Sequence, residues 1–205
     1  MPNHVRNRLA FEGEPEQVAA LLAAIQNEKY GIGSIDFQKI IPMPSNIYRG
    51  NLGQEERERY GENNWYDWSV GNWGAKWNAY DFSEIPYHTG NPVCFSTAWS
   101  APHPVVQRLS AMFPEVEIHH AWAEEQLGIN CGRRTYLGGE IIAITPPESQ
   151  EEAVALSCEV WEVSPDELVS QRMNCDNSED ETWRASASGG SPLEEVMSDN
   201  RMEIS

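Results

Sequence analysis

The chain has 205 residues, 40% of them hydrophobic, which is enough apolar material for one well-packed domain and an appendage. Its 32 acidic and 14 basic residues give a formal net charge of −18, the opposite of the basic excess that nucleic-acid-binding surfaces require. Direct binding to nucleic acid is therefore not expected, and the charge instead favours a basic partner. No apolar run is long enough to span a bilayer and the first residues lack a signal-peptide hydrophobic region, so we expect a cytoplasmic protein without membrane association.

The predicted elements alternate between strands and helices. Apolar and polar residues alternate over residues 5–11, which predicts a first strand, and apolar residues at helical spacing after Pro15 predict a first helix. Alternation over residues 35–41 predicts a second strand. The remaining elements are a third strand over residues 93–99, a second amphipathic helix over residues 104–113 and a fourth strand over residues 116–122.

This order predicts an α+β fold of the ferredoxin-like type, a βαββαβ sandwich in which two helices cover one face of an antiparallel sheet. Residues Arg133–Tyr136 and Glu140–Ile144, separated by a Gly-Gly pair, predict an extra hairpin that extends or flanks the sheet. Residues 42–72 are interpreted as an insertion with a short exposed helix at Gln54–Arg59. An insertion of this length is more often functional, or packed by its own aromatic side chains, than idle.

The negative charge is concentrated towards the C-terminal end of the sequence. Residues 1–146 carry 17 acidic and 11 basic side chains, whereas residues 147–205 carry 15 and 3. We therefore predict a ferredoxin-like domain over residues 1–146 and an acidic C-terminal extension over residues 147–205. The extension has helical potential at Glu151–Trp161, and beyond about residue 174 it has too few large apolar residues to offset the entropy of ordering, which predicts disorder there.

The segment Trp73–Asp81 holds two tryptophans, a lysine and an aspartate, a mixture that neither an amphipathic helix nor a strand requires. One hypothesis is that the Lys76 ammonium lies over the rings of Trp73 and Trp77, or that these rings offer an aromatic surface to a partner. The alternative, which we favour, is that both indoles pack beneath the insertion while Lys76 and Asp81 pair locally. The alternation of the strands likewise favours burial of Trp99 and Trp122.

A cluster that resembles an acid–base or metal set is His119 and His120, followed by Glu124 and Glu125. Neighbouring strand residues point to opposite faces, so the two histidines are not expected to share one ligand sphere. His103, between two prolines, is interpreted as a turn or capping residue. The four cysteines lie 37, 27 and 17 residues apart, without the close pairs of zinc or iron–sulfur sites. Since the sequence also lacks the common catalytic and phosphate-binding motifs, we predict no catalytic residue, no metal and no cofactor.

Several short motifs occur in the order typical of a known family. They are Met1-Pro2-Asn3, Asn7-Arg8-Leu9, Gly13, Trp73-Gly-Ala-Lys76-Trp77-Asn78, Phe95-Ser-Thr97-Ala98-Trp99-Ser-Ala-Pro102, Leu109, Phe113-Pro114-Glu115 and Gly138. Over roughly residues 1–140 the chain resembles the YubB-like family, phage and plasmid proteins with a ferredoxin-like domain. The resemblance implies that fold and a bacterial mobile genetic element as the source. It implies no activity, since none is established for the family.

Together these observations predict a non-catalytic acidic binding protein. We expect it to engage or inhibit a host protein with a basic surface, such as a nucleic-acid-binding defence component of the CRISPR kind, by mimicking the charge of nucleic acid. The candidate binding residues are Trp73, Lys76, Trp77, Asn78, Asp81, Glu124 and Glu125. The alternative is a small enzyme or nucleic-acid-processing accessory with a site around Trp73–Asp81 and His120.

Overall fold

The computed structural model describes residues 3–82 and 90–164. The strands are β1 (His4–Glu12), β2 (Val93–Ala98), β3 (Glu117–Glu124), β4 (Gly132–Leu137) and β5 (Glu140–Thr145). The α-helices are α1 (Pro15–Ile25), α2 (Gln54–Tyr60), α3 (Trp65–Trp73), α4 (His103–Met112) and α5 (Gln150–Trp161). The strands form an antiparallel sheet in the order β2-β1-β3-β4-β5.

Strand β1 lies inside the sheet, and its alternating sequence places its buried side chains on one face. Val5, Asn7, Leu9 and Phe11 are buried on one face, where helices α1 and α4 pack. The main core lies between these helices and this face of the sheet, and excludes water from many large side chains. Fully buried examples are Leu21 and Ile25 from α1, Val105, Val106 and Leu109 from α4, and Val93, Phe95, Ile118 and Tyr136 from the strands.

Helix α5 covers the opposite face of the sheet. Ala121 and Ala123 of β3 pack against Leu156 and Val160 of α5, because the small alanine side chains let the helix approach the strand. The compact unit that contains the sheet consequently extends from Met1 to Val163. This differs from the predicted domain boundary at residue 146. The outer face of α5 carries the acidic residues that set the predicted boundary, whereas its inner face is apolar.

The predicted strand over residues 35–41 is wrong. Phe37–Lys39 form a 3₁₀ helix, and the backbone N–H groups of Phe37 and Gln38 donate to side chains instead of to a neighbouring strand. Asp36 Oδ1 accepts from the Gln38 N–H at 2.9 Å, and Asn78 Oδ1 accepts from the Phe37 N–H at 2.9 Å. The outer edge of β2 instead pairs with Tyr80 through two backbone hydrogen bonds to Ser96.

The predicted extra hairpin is present as β4 and β5. Gly138 and Gly139 have φ of +60° and +87°, values that glycine adopts without steric cost. A Cβ on Gly139 would lie 2.9 Å from the Cβ of Ala111 in α4, so the turn needs glycine for close packing as well. All six residues of β5 are exposed, with Ile142 and Ile144 exposing 53% and 60% of their surface.

The predicted short exposed helix of the insertion is present as α2, which buries no side chain. Helix α3 follows it, with the Asn64 side chain capping its first turn by accepting from the Tyr66 and Asp67 N–H groups. The predicted disorder beyond residue 174 lies outside the described residues. Within them, no helix is both long and apolar enough to cross a membrane.

Candidate binding surface

Trp73 belongs to the core. It is the last residue of α3 and exposes only 3% of its surface. Its indole N–H donates to the Ile41 carbonyl oxygen at 2.9 Å, and its ring meets the rings of Phe37 and Trp68 edge to face. The indole therefore fastens the insertion to the main core, and Lys76 does not contact it among the cation–π pairs of the described residues.

Asn78 also has a structural role. Its side-chain oxygen accepts from the backbone N–H groups of Phe37 and Ala79, both at 2.9 Å, and its side-chain N–H₂ donates to Asp36 at 2.7 Å. Both acceptor positions of the oxygen and one of the two amide hydrogens are thus used inside the protein, so Asn78 holds the backbone near Phe37.

Asp81 closes the outer edge of β2. Its carboxylate accepts from the Ser96 hydroxyl at 3.1 Å and lies 3.6 Å from the Arg6 guanidinium, which also donates to the Asp81 carbonyl oxygen. The predicted local pair of Asp81 with Lys76 is therefore replaced by a pair with Arg6. Arg6 reaches it because β1 and β2 are neighbours, with Arg6 opposite Ser96.

Lys76 lies between two indoles, but the second is Trp99 and not Trp73. Its Nζ is 4.6 Å from the ring centroids of both Trp77 and Trp99, which is cation–π distance. Tyr66 meets Trp99 edge to face at 5.9 Å. We call Tyr66, Lys76, Trp77 and Trp99 the Trp99 surface.

The predicted burial of Trp99 is wrong, whereas that of Trp122 is confirmed, with 8% of Trp122 exposed. Strand β2 ends at Ala98, one residue before the alternation in the sequence does. Trp99 has a φ of +74°, which turns the chain out of the sheet and leaves 41% of the side chain exposed.

Glu124 stabilises the backbone of Trp99 through hydrogen bonds to Asn3 and Asn130. It is 8% exposed, and its two carboxylate oxygens accept from Asn3 at 2.6 Å and from Asn130 at 3.2 Å. The Asn3 carbonyl oxygen in turn accepts from the Trp99 N–H at 2.9 Å, and the Asn130 side chain donates to the Trp99 carbonyl oxygen at 3.3 Å. Glu124 is therefore a positioning residue for the backbone of Trp99.

The rim beside the Trp99 surface is acidic. The Tyr80 ring lies 6.3 Å from that of Trp77, and its hydroxyl is 2.6 Å from His4 Nδ1. Partial burial raises the pKa of Tyr80, and the negative charges of Asp81 and Glu125 raise it further. Glu125 itself is exposed. The negative charges of Asp81 and Glu125 thus act on Tyr80, which is partly exposed and borders Trp77.

His119 and His120 point to opposite faces of the sheet, as predicted. His119 is partly exposed and lies 3.3 Å from the Glu12 carboxylate. His120 is 1% exposed, on the face that α4 covers, and its Nε2 is 3.0 Å from Asn7 Oδ1. Burial lowers the pKa of His120 well below its usual value, and the charges of His103 and Arg134 lower it further.

Three residues not predicted as site residues surround His120. The His103 ring centroid is 5.4 Å from that of His120, and His103 Nδ1 is 3.3 Å from the Tyr136 hydroxyl. Arg134 is opposite His120 in the pairing of β3 with β4. Burial, followed by the charge of Arg134, lowers the pKa of His103 to about 4. The pairing of β3 with the hairpin is the signal that could have revealed this group.

A chain of hydrogen bonds connects His120 to the segment that begins at Trp73. Asn7, which contacts His120, donates to Thr97 Oγ1 at 2.9 Å. The Thr97 hydroxyl donates to the Ser100 carbonyl oxygen at 2.8 Å, and the Ser100 hydroxyl donates to the Gly74 carbonyl oxygen. Asn7, Thr97 and Ser100 therefore connect His120 to the segment Trp73–Asp81, which are the two parts of the alternative enzyme site.

Among the described residues, no three His, Cys, Asp or Glu side chains are grouped so that they could hold a metal ion. Cys94, Cys131 and Cys158 are free thiols. Cys175 lies outside the described residues.

Comparison with known families supports the fold. A family model described as a ferredoxin-like domain in Api92-like proteins matches residues 72–164, which is less than half of the chain. The matched segment runs from the end of α3 through α5 and includes β2 to β5, so it lacks the inner strand β1. Neither a curated protein nor a solved structure matches the chain. The chain thus contains a ferredoxin-like domain with a five-stranded antiparallel sheet.

Proposed function

We propose that this protein is a non-catalytic binding protein that engages a basic host protein through the Trp99 surface. The proposed source is a bacterial phage or plasmid, as the YubB-like resemblance implies, and the proposed partner is a nucleic-acid-binding defence component that the protein inhibits. We also propose that β1, α1, β2, α4 and β3 are five of the six elements of a ferredoxin-like βαββαβ unit. In that unit, the residues around Tyr80 take the place of the second strand.

The observation that carries the binding proposal is the conformation of Trp99. A bulky residue at a φ of +74° costs about 1–2 kcal/mol relative to glycine. Here that cost keeps a large indole 41% exposed, with its backbone fixed by Asn3 and Asn130. Backbone strain that exposes an aromatic side chain is typical of a functional position, and tryptophan is enriched among residues that dominate binding energy.

Charge supports a basic partner. The negative charges of Asp81 and Glu125 act on Tyr80, whose ring neighbours that of Trp77, and the whole chain carries a net charge of −18. Opposite charge at the rim of an interface speeds association and excludes acidic partners, while buried aromatic side chains supply most of the affinity. The proposed inhibition follows if the rim carboxylates and the acidic remainder of the chain occupy the groove that otherwise binds nucleic acid.

The proposal is tested with the full chain as bait in a nuclease-treated bacterial lysate. We expect the wild-type chain to retain a nucleic-acid-binding protein in stoichiometric amount, and Trp99→Gly to lose it, since glycine accepts the positive φ but has no indole. Ile144→Thr is the matched control, because it removes an exposed apolar side chain from the far edge of the sheet.

Salt dependence and competition by nucleic acid distinguish specific binding from nonspecific adsorption. Raising the salt concentration from 50 to about 300 mM should weaken the complex, because the Debye length falls with ionic strength. Added nucleic acid should displace the bait from its partner. If Trp99→Gly retains the same proteins as the wild type, or if Ile144→Thr loses them equally, the Trp99 surface is not the binding site.

A further inference from the structure

A group of four polar side chains lies between the start of α4 and strands β3 and β4. We call His103, His120, Arg134 and Tyr136 the Arg134 cluster. The guanidinium carbon of Arg134 lies 5.5 Å from the ring centroid of Trp122, and the His103 ring lies 4.5 Å from the same indole. Trp122 therefore holds both side chains in place.

Arg134 is a cation without an anionic partner among the described residues. Its neighbour Arg133 pairs with Glu159 on the other face of the sheet, whereas Arg134 forms no ion pair with any described carboxylate. Arg134 is partly buried, and its Nε is fully buried without a hydrogen-bond partner. A cation removed from water in this way normally has a compensating negative charge.

The rest of the cluster also has unused hydrogen-bonding capacity. His120 Nδ1 is buried and has no partner in the described chain, although His120 Nε2 contacts Asn7. The nearest carboxylate along the same face of β3 is that of Glu124, whose oxygens accept from Asn3 and Asn130. Buried polar atoms are usually hydrogen-bonded, so these unpaired atoms are available to a bound ligand.

The available groups suit an oxyanion. A guanidinium offers a planar set of donors that matches a phosphate group. The Tyr136 hydroxyl and the neutral His103 imidazole carry one polar hydrogen each, and their mutual hydrogen bond uses one of the two, so this pair supplies one further donor. Burial, followed by the charge of Arg134, lowers the pKa of His103 to about 4, so this imidazole is neutral at pH 7, and an anion bound beside it would raise that pKa.

Access is from the outer side of the cluster. His103 and Arg134 are both partly exposed, whereas His120 and Tyr136 are buried beneath them. The first amides of α4 are already used, since Val105 and Val106 donate to the Pro102 carbonyl oxygen. A ligand would therefore be held by side chains, and the positive end of the helix dipole would add only a general attraction.

We propose that Arg134, His103 and Tyr136 bind a phosphate group, either free or as a monoester. This site is separate from the Trp99 surface and does not depend on the proposed protein partner. Arg134 supplies the charge, and its histidine neighbours are placed by two elements, His120 by β3 and His103 by the first turn of α4.

The decisive test compares two adjacent arginines in the full chain. Thermal unfolding is followed in inorganic phosphate, in adenosine monophosphate and in sodium chloride at matched ionic strength. We expect phosphate or the monophosphate to raise the Tm of the wild type by about 2–5 °C over chloride, because a ligand that binds only the folded state stabilises it. Arg134→Gln should abolish this rise, whereas Arg133→Gln should retain it.

The two ligands distinguish the sources of the phosphate group. A rise with inorganic phosphate alone indicates a site for the free ion, and a larger rise with the monophosphate indicates a nucleotide-type ligand. No rise with either, or an equal loss in Arg133→Gln and Arg134→Gln, overturns the proposal.

A second measurement keeps the test valid if Arg134→Gln does not fold. In wild-type protein labelled with ¹⁵N-histidine, the imidazole signals of His103 and His120 should shift saturably with phosphate and not with chloride. The signal of His119, on the opposite face, serves as the internal control. Equal shifts of all three signals, or no saturation, contradict a site at Arg134.

Discussion

The segment Trp73–Asp81 contains one pair of residues that faces the core and another pair that faces the surface. Trp73 and Asn78 face inward, where they join the insertion to the core and to the 3₁₀ helix. Lys76 and Trp77 face outward and form a surface with Trp99, which comes from a distant part of the sequence. Gly74, with a φ of +74°, ends α3 between Trp73 and Lys76 and redirects the chain. Two tryptophans four positions apart therefore have different environments, Trp73 in the core and Trp77 at a partly exposed surface.

The strongest test of this comparison is truncation of the two indoles. Trp73→Ala should lower the free energy of unfolding by about 3–5 kcal/mol, because it leaves a cavity and strands the Ile41 carbonyl oxygen. Trp77→Ala should cost less than about 1 kcal/mol, because its ring is partly exposed. Urea unfolding measures both. Equal losses would remove the distinction between core and surface.

Asn78→Ala should cost about 1–3 kcal/mol, because the Phe37 amide and the Asp36 carboxylate lose partners in the core region. Asn78→Asp is the matched variant, since it keeps the acceptor for Phe37 but places a second carboxylate beside Asp36. Both variants should be destabilised in urea, and a neutral effect of Asn78→Ala would show that the 3₁₀ helix is held by its apolar residues alone.

The buried ring of His120 and the half-buried ring of His103 should make the stability of the fold depend on pH. Unfolded histidine takes up a proton near pH 6.5, whereas burial holds the pKa of His103 at about 4 and that of His120 well below its usual value. The unfolded state therefore binds more protons in this range, and stability should fall by about 1–2 kcal/mol as the pH is lowered from 6.5 to 4, after allowance for solvent screening at His103.

Comparison with His103→Gln isolates this effect from the general fall in negative charge. The difference in urea midpoint between wild type and variant should change steadily between pH 6.5 and 4 and stay constant above pH 7. A constant difference throughout would mean that His103 titrates alike in both states.

The smallest expected effect is on the surface side. Trp99→Gly should be more stable than Trp99→Ala by about 1 kcal/mol, because glycine adopts the positive φ without strain although it adds entropy to the unfolded state. Thermal unfolding of the two variants measures the difference. If Trp99→Ala is the more stable variant, the backbone at this position carries no strain.

The sequence predicts well those elements whose conformation depends on residues that are neighbours in the chain. Alternation in β1 and β3 and the Gly-Gly turn of the hairpin depend on neighbouring residues, and the structure contains all three. The segment at Ile35–Ile41 has a strand-like pattern, but its conformation depends on Asn78, 41 residues after Phe37. No local pattern reveals that contact.

The candidate site residues are likewise predicted only where their role does not depend on contacts between residues distant in the sequence. Glu124 is identified as a site residue from its neighbours His119 and His120, whereas in the structure it positions Trp99 through two asparagines. Arg134 is not identified, because its position beside His120 follows from strand register, which requires the pairing of β3 with β4. Side-chain chemistry is readable in the sequence, but the partners of each side chain are not.

The backbone hydrogen bonds of β5 should open more easily than those of β1. Within the described chain β5 pairs only with β4 and buries none of its residues, whereas β1 pairs on both sides and is covered by helices. Amide groups with exposed hydrogen bonds open at low free-energy cost, so hydrogen exchange should run as a gradient that is fastest in β5 and slowest in β1. Fraying of β5 exposes the edge of β4 first, so the proposed phosphate site at Arg134 lies on the strand beside the one that opens most easily.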